Sequence, residues 1–272
     1  MPYLDLPGAE LYYETAGRAS APALLLIPAG IATLRMWDEQ VDALAAEHFV
    51  VRFDPRAFGG TRHEEAAPFW NHRDAIALLD HLGVAQATVV GASRGGAIAI
   101  DVALHAPERV AGLVAVSARI GGHPDVPLDA ATQARFDAVE AIDPAVDAAG
   151  MLRLETELFA TGAGREAGSV APAFLARAHE LARPNIAHAL DDGDMRALEP
   201  PAAGRLAEIT VPALVAVGEF DLAPFLVQFE TLAAALPSAS AHRLTGTAHL
   251  PSVERTEEFT RLLLAWLDEH GL

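Results

Sequence analysis

Apolar positions along this chain fall into two alternating patterns. Short, nearly uninterrupted runs at ALLLIP (Ala23–Pro28), FVVRF (Phe49–Phe53), ATVV (Ala87–Val90), LVAVS (Leu113–Ser117) and ALVAV (Ala213–Val217) predict strands covered on both faces, as in a parallel sheet. Between them Arg35–His48, Asn71–Gly83 and Gly95–Pro107 read as helices, the second closed by glycine and the third by proline. Late in the chain, helices at Pro224–Pro237 and Val253–Gly271 flank a last strand at Ser240–Leu244, and the final helix sets Phe259, Leu262, Leu263 and Trp266 on one face. At the start, Leu4, Leu6, Leu11 and Tyr13 alternate around Pro7-Gly8, as in an antiparallel hairpin. Strand and helix in turn give an α/β class: a mostly parallel twisted sheet with helices on both faces.

One stretch breaks the alternation. From Gly121 to about Leu206 the chain is rich in Ala, Asp and Pro and has no convincing strand. Helices are expected at Thr132–Ile142, Met151–Phe159, Phe174–Ala182 and Ile186–Leu190. The expectation is a core domain formed by residues 1–120 and 207–272, with residues 121–206 inserted as a helical cap. It should line the pocket with apolar residues; Phe69, Trp70, Phe136, Phe159 and Phe225 are candidate wall residues, although each reads first as plain core.

Composition narrows the chemistry. The 37 acidic against 19 basic residues give a net charge of −18, which repels a phosphate backbone and argues against a nucleic-acid partner. Every basic residue is arginine and cysteine is absent, so lysine Schiff bases, P-loop lysines, cysteine nucleophiles, disulfides and thiolate-bound metals are excluded. No H-E-x-x-H spacing occurs, and neither a metal nor a cofactor is expected. The start, MPYLDLPGAELYYE, has no basic n-region or apolar h-region, and no apolar run reaches membrane-spanning length; a cytoplasmic protein without a membrane partner is the expectation.

The chemistry concentrates at VVGASRGGAI, Val89–Ile98, where a strand pattern ends and a helix pattern begins. Gly91-Ala92-Ser93-Arg94-Gly95 has the G-x-S-x-G spacing that lifts a serine onto a tight strand-to-helix turn. Residues two before and two after such a serine crowd one another, so Gly91, Gly95 and Gly96 give room and Ala97 keeps the helix near the sheet. A serine nucleophile needs a base and an acid that orients it. His249, in the glycine-containing loop of LTGTAHLPSVE after the last strand, is the best placed of the 11 histidines. His242 reads as a surface strand position, and His48, His81, His105 and His270 as helix ends. In VAVGEFD, Asp221 is the expected acid, with Glu219 and Asp125 as alternatives. The oxyanion donors would be the Arg94 backbone amide and, from IPAGIA, that of Gly30 or Ile31. The Arg94 guanidinium has two readings, of which the first is favoured: partner of a buried carboxylate, or anchor for an acidic substrate.

These motifs, in order, resemble the α/β-hydrolase superfamily over nearly the whole chain. IPAGIATLRMWD is similar to its oxyanion loop and first helix, FDPRAFGGTR to its aspartate-arginine-glycine loop, GASRGG to its nucleophile elbow, VGEFD to its acid turn and GTAHLP to its histidine loop. The nearest likeness is to small cofactor-free serine hydrolases with a helical cap, such as esterases and 3-oxoadipate enol-lactonases. That likeness implies a small-molecule ester or lactone substrate, with carbon–carbon bond hydrolysis or perhydrolysis by the same residues, or a non-catalytic ligand-binding homologue, as alternatives. Loop spacing counted back from Met36-Trp37-Asp38 favours Gly30 over Ile31. Serine at the elbow argues against dehalogenases and epoxide hydrolases, which carry aspartate there. Two features depart from the pattern: Pro-Ala-Gly stands where His-Gly is common, and arginine follows the nucleophile. The likeness leaves oligomeric state and substrate identity open.

Overall fold

The structure is a computed structural model that describes residues 3–64, 67–191 and 193–272. Strands β1 (Tyr3–Leu6) and β2 (Ala9–Ala16) form the expected hairpin, in register Leu4 to Leu11, and β2 runs antiparallel to the next sheet strand. From there strand and helix alternate: β3 (Ala23–Ile27), α1 (Asp38–Ala45), β4 (Phe49–Phe53), the two-residue β5 (Arg62–His63), α2 (Asn71–His81), β6 (Ala87–Ala92), α3 (Arg94–His105) and β7 (Val110–Val116). Helices α4 (Ala130–Glu140), α5 (Pro144–Thr161) and α6 (Pro172–Ala182) follow, then β8 (Ala213–Gly218), α7 (Ala223–Ala235), β9 (Ala239–Leu244), α8 (Pro251–Glu254) and α9 (Thr256–His270).

The sheet order is β1-β2-β4-β3-β6-β7-β8-β9, with β5 paired to β2, and every pairing from β4 to β9 is parallel. The α/β reading is borne out. Strands β3, β4, β6 and β8 are buried at every position, which explains their unbroken apolar runs. Arg52, the odd residue of FVVRF, is nearly buried because it pairs with Glu14 on β2 at 2.7 Å and Asp38 of α1 at 2.6 Å. A buried arginine is tolerated when its charge and donors are met in this way.

Two apolar cores lie on opposite faces of the sheet. One packs α2, α3 and α7 against residues such as Leu25, Val89 and Leu113. The other packs α1, α6 and α9 against Leu26, Val90 and Val114. On α9 the buried face is Phe259, Leu263, Trp266 and Leu267; Leu262, expected inward, lies one step off this stripe and is only part-buried. His48 differs too: it is buried, and its ring nitrogens meet the carbonyl of Leu44 at 3.1 Å and the chain terminus at Leu272 at 2.9 Å.

Residues 121–206 are helical as expected but with shifted bounds. The helix expected at Met151–Phe159 lies in α5, which opens at Pro144, where Asp143 accepts the Ala145 N–H as N-cap, and kinks at Asp147, whose backbone is not helical. The one expected at Ile186–Leu190 is instead a 3-10 turn over Arg183–His188, which Pro184 opens. Past it, Phe69 and Met195 form a single parallel bridge back to the sheet domain. Among the described residues no helix is long and apolar enough to cross a membrane.

Candidate active site

The turn after β6 is built by steric exclusion. A Cβ on Gly91 would overlap the Gly95 carbonyl, one on Gly95 would overlap the Ile27 carbonyl, and one on Gly96 would approach the Cβ of Ala118. With those positions bare, the chain reverses at Ser93, whose φ of 53° is left-handed, a conformation that an L residue keeps only when its surroundings hold it there. The surroundings do: the Ser93 N–H donates to the Val116 carbonyl at 2.8 Å, extending the sheet pairing. The side chain then rises at the carboxyl end of the sheet and at the N-terminus of α3.

His249 and Asp221 arrive from the loops after β9 and β8. Asp221 is fully buried, and His249 Nδ1 lies 2.9 and 3.0 Å from its two oxygens. The Leu222 N–H donates to Asp221 Oδ1 at 2.8 Å, which fixes the carboxylate. His249 is gripped between Phe159 and Phe225, whose ring centroids lie 4.7 and 4.2 Å from its own. The loops are joined to each other, since the Phe220 N–H donates to the Thr247 carbonyl at 2.9 Å. Glu219 is drawn into that joint, accepting from the Gly246 N–H at 2.8 Å, and Asp125 is exposed and away from the cavity.

Ser93 and His249 line one cavity of about 300 Å³. Its floor is the elbow together with Gly30 and Ile31, and one wall is Leu152, Glu155, Thr156 and Phe159, the i, i+3, i+4, i+7 face of α5. Of the aromatic candidates, Phe159 and Phe225 line it; Phe136 packs behind Phe159, Phe69 lies against His63, and Trp70 borders a separate groove. Burial holds the Glu155 carboxyl above the usual carboxylate range.

Three residues that the sequence reading did not single out shape the site. Asn185, after α6, donates to the Gly30 and Ala32 carbonyls, each at 3.2 Å, and accepts from the Gly59 N–H at 2.9 Å. Arg165 donates to the Gly246 carbonyl at 2.9 Å and pairs at 2.7 Å with Glu254, which in turn accepts the Ala248 N–H at 2.9 Å. Asp54, at the end of β4, accepts from the Leu34 N–H at 2.6 Å and the Gly60 N–H at 2.9 Å, and burial pushes its carboxyl up to about 6. Each is a polar side chain meeting backbone groups far away in sequence. Only Asp54 carries a sequence signal, through the FDPRAFGG likeness.

Arg94 departs from its favoured reading. It forms no ion pair among the described residues; its guanidinium lies 3.7 Å above the Phe58 ring and donates one bond, at 3.3 Å, to the Arg56 carbonyl. Arg56, whose carbonyl accepts from Arg94, spends its own guanidinium on Asp74 in a two-point pair at 2.7 and 2.9 Å. Burial pushes the Arg94 guanidinium down to about 9, so it stays a cation at neutral pH.

As for metal ions, His63, His188 and Asp191 bring donor atoms within 4.8 Å of one another at the cavity's edge. In this arrangement His188 faces Asp191 at 2.7 Å and the Gly59 carbonyl at 3.0 Å, so it serves as a tie between the helical segment and the loop after β4.

Comparison with known proteins agrees with this fold. The family model described as alpha/beta hydrolase fold matches residues 22–256. A protein of Variovorax paradoxus named as a carbamate hydrolase, RutD, is 32% identical over 267 residues, spanning 94% of this chain and 96% of its own. The 3-oxoadipate enol-lactonase 2 of Acinetobacter baylyi is 37% identical over 105 residues, 36% of this chain and 38% of its own. Among solved structures, the enol-lactonase from Burkholderia xenovorans LB400 superposes with a TM-score of 0.73 at 25% identity, covering 98% of this chain and all of that one. The chain belongs to the α/β-hydrolase family, as a hydrolase related to esterases and lactonases.

Proposed function

We propose that the chain hydrolyses a small carboxylic ester or lactone through an acyl-enzyme on Ser93. The observation that carries this reading is the two-oxygen contact of Asp221 with His249 Nδ1, which leaves Nε2 as the basic nitrogen in the cavity that Ser93 shares. Ser93 Oγ attacks the carbonyl carbon while His249 takes the hydroxyl proton; the carbon–oxygen bond to the alcohol breaks and His249 returns the proton to the leaving oxygen. Water then repeats the sequence, giving the acid and regenerating Ser93. A cavity of about 300 Å³ is at the small end for ligand sites and suits a short acyl or lactone ring. Residues 121–206 act as the cap over a core of residues 1–120 and 207–272, with α5 as its inner face.

The Arg94 amide at the start of α3 is one oxyanion donor. For the second, Asn185 engages the Gly30 carbonyl, and in a trans peptide the N–H of the next residue points the opposite way. This supports Ile31 over Gly30. Asn185 is then a positioning residue. Asn185→Leu is expected to lower kcat about 10- to 100-fold with KM nearly unchanged, the pattern of a lost transition-state contact. Asn185→Asp, which keeps the Gly59 bond but sets an oxygen against two carbonyls, should fare no better; a loss confined to Tm with kcat intact would remove the role.

The test of the reading is covalent. A fluorophosphonate probe should label the purified protein once, on Ser93, as read by mass spectrometry of its peptides, and short p-nitrophenyl esters should block the labelling. Absence of an adduct, or an adduct elsewhere, overturns the reading.

A further inference from the structure

Arg94 is left over by this chemistry. Only its backbone amide enters the mechanism, yet its side chain occupies the most expensive position in the cavity: next to the nucleophile, charged, and without a carboxylate. Its stem runs over Gly30, whose missing Cβ would sit 3.8 Å from Arg94 Cδ and 3.9 Å from its Cβ, so the oxyanion loop and the arginine share one surface. The ring of Phe58 covers one face of the guanidinium, and the Arg56 carbonyl takes one of its five donors. The edge that remains is a planar fork without a carboxylate partner among the described residues.

Among the described residues of the cavity lining, arginines outnumber carboxyls. Arg119 stands at the exposed rim, and the one carboxyl is Glu155, whose proton affinity burial raises. A chain with net charge −18 thus sets one arginine in this cavity and a second at its rim. Two fixed cations there oppose the general repulsion of anions by the surface. Phe58 beneath the guanidinium keeps it flat and desolvated, the setting in which a two-point bond to a carboxylate is strong.

We infer that Arg94 is the anchor for a carboxylate on the substrate, so that the natural ester or lactone is a small anion, such as a half-ester of a short dicarboxylic acid or a lactone bearing a carboxylate. The inference rests on the proposed hydrolysis for its kinetic consequence and on the cavity alone for its binding consequence. The two can therefore fail separately.

The binding arm uses glutarate and its neutral counterpart glutaramide as probes, titrated by calorimetry into the wild-type protein and into Arg94→Met. Glutarate should bind at least about tenfold more tightly than glutaramide, and weaken with added salt, and Arg94→Met should erase that preference. The kinetic arm compares kcat/KM for monomethyl glutarate and dimethyl glutarate. Wild type should favour the half-ester, and the ratio of the two constants should fall about tenfold or more in Arg94→Met and partly recover in Arg94→Lys. A general loss of activity cancels in that ratio. Equal binding of glutarate and glutaramide by wild type overturns the anchor, as does a ratio that Arg94→Met leaves unchanged. If Arg94→Met does not fold, as read by its thermal transition, the wild-type comparison decides alone. Glutarate binding with no turnover of either ester would leave the anchor standing and sink the hydrolysis.

Discussion

Ser93→Ala is expected to lower kcat on short p-nitrophenyl esters by about 10³- to 10⁶-fold, with the folded state intact. The size follows from what is lost. On the proposed mechanism no acyl-enzyme forms without Oγ, and only the proposed oxyanion donors and the cavity act on a water molecule. Retention of the fold follows from the site's construction: Ser93 is held by its backbone, through the N–H bond to Val116, and its side chain makes no hydrogen bond that the turn requires. The thermal transition should therefore shift little or rise, since alanine removes a hydroxyl from a mostly covered position. Stopped-flow and steady-state assays of the two proteins, with the same preparation followed by circular dichroism, check both halves. Turnover within tenfold of wild type would remove Ser93 as nucleophile.

Asp221→Asn should cost about 10³- to 10⁴-fold in kcat while KM changes little. Both carboxylate oxygens approach Nδ1 of His249 and hold the proton on that nitrogen. An amide in the same place can turn its NH₂ toward Nδ1, which drives the proton to Nε2 and leaves the ring unable to accept from Ser93. Because the carboxyl is fully buried, no water can take over the role of acceptor. Fluorophosphonate labelling of Ser93 should slow in step with kcat. Glu219→Gln is the comparison, since among the described residues Glu219 accepts only the Gly246 N–H, and should stay within about threefold of wild type. If instead Glu219→Gln is the damaging change, the acid has been misassigned.

The sheet could be read from sequence because a strand buried on both faces writes five or six apolar residues in a row, a signal that does not depend on its partners. The elbow was legible for a similar reason: its glycines are demanded by backbone contacts within one turn and against Ile27, and such demands leave local spacing. The helical segment was harder. Leu152, Glu155, Thr156 and Phe159 share a face of α5, yet nothing in their spacing says whether that face looks at solvent or at Ser93. Asn185 was out of reach altogether, because the carbonyl it holds at Gly30 lies 155 residues earlier. The proposal of Ile31 over Gly30 rests on the same contact, which loop length does not reveal. Arg94 shows the reverse case. The expectation of a buried carboxylate partner was sound electrostatics, but among the described residues the guanidinium meets the Phe58 ring and the Arg56 carbonyl instead.

The ties made by Asn185, His188 and Arg165 bear on how substrate variety could arise in this scaffold. Each fastens residues 121–206 to a loop that carries reactive groups: Asn185 to the Gly30 loop, His188 to the loop after β4, Arg165 through Glu254 to the backbone next to His249. Swinging the helices aside as a hinged cover would pull on both the Gly30 loop and the His249 loop at once. Exchanging or resizing this segment wholesale would remove these ties. The inward face of α5, which is bound to none of these loops by hydrogen bonds from Leu152, Glu155 or Thr156, remains the free surface on which single substitutions can retune the ligand while the machinery stays assembled.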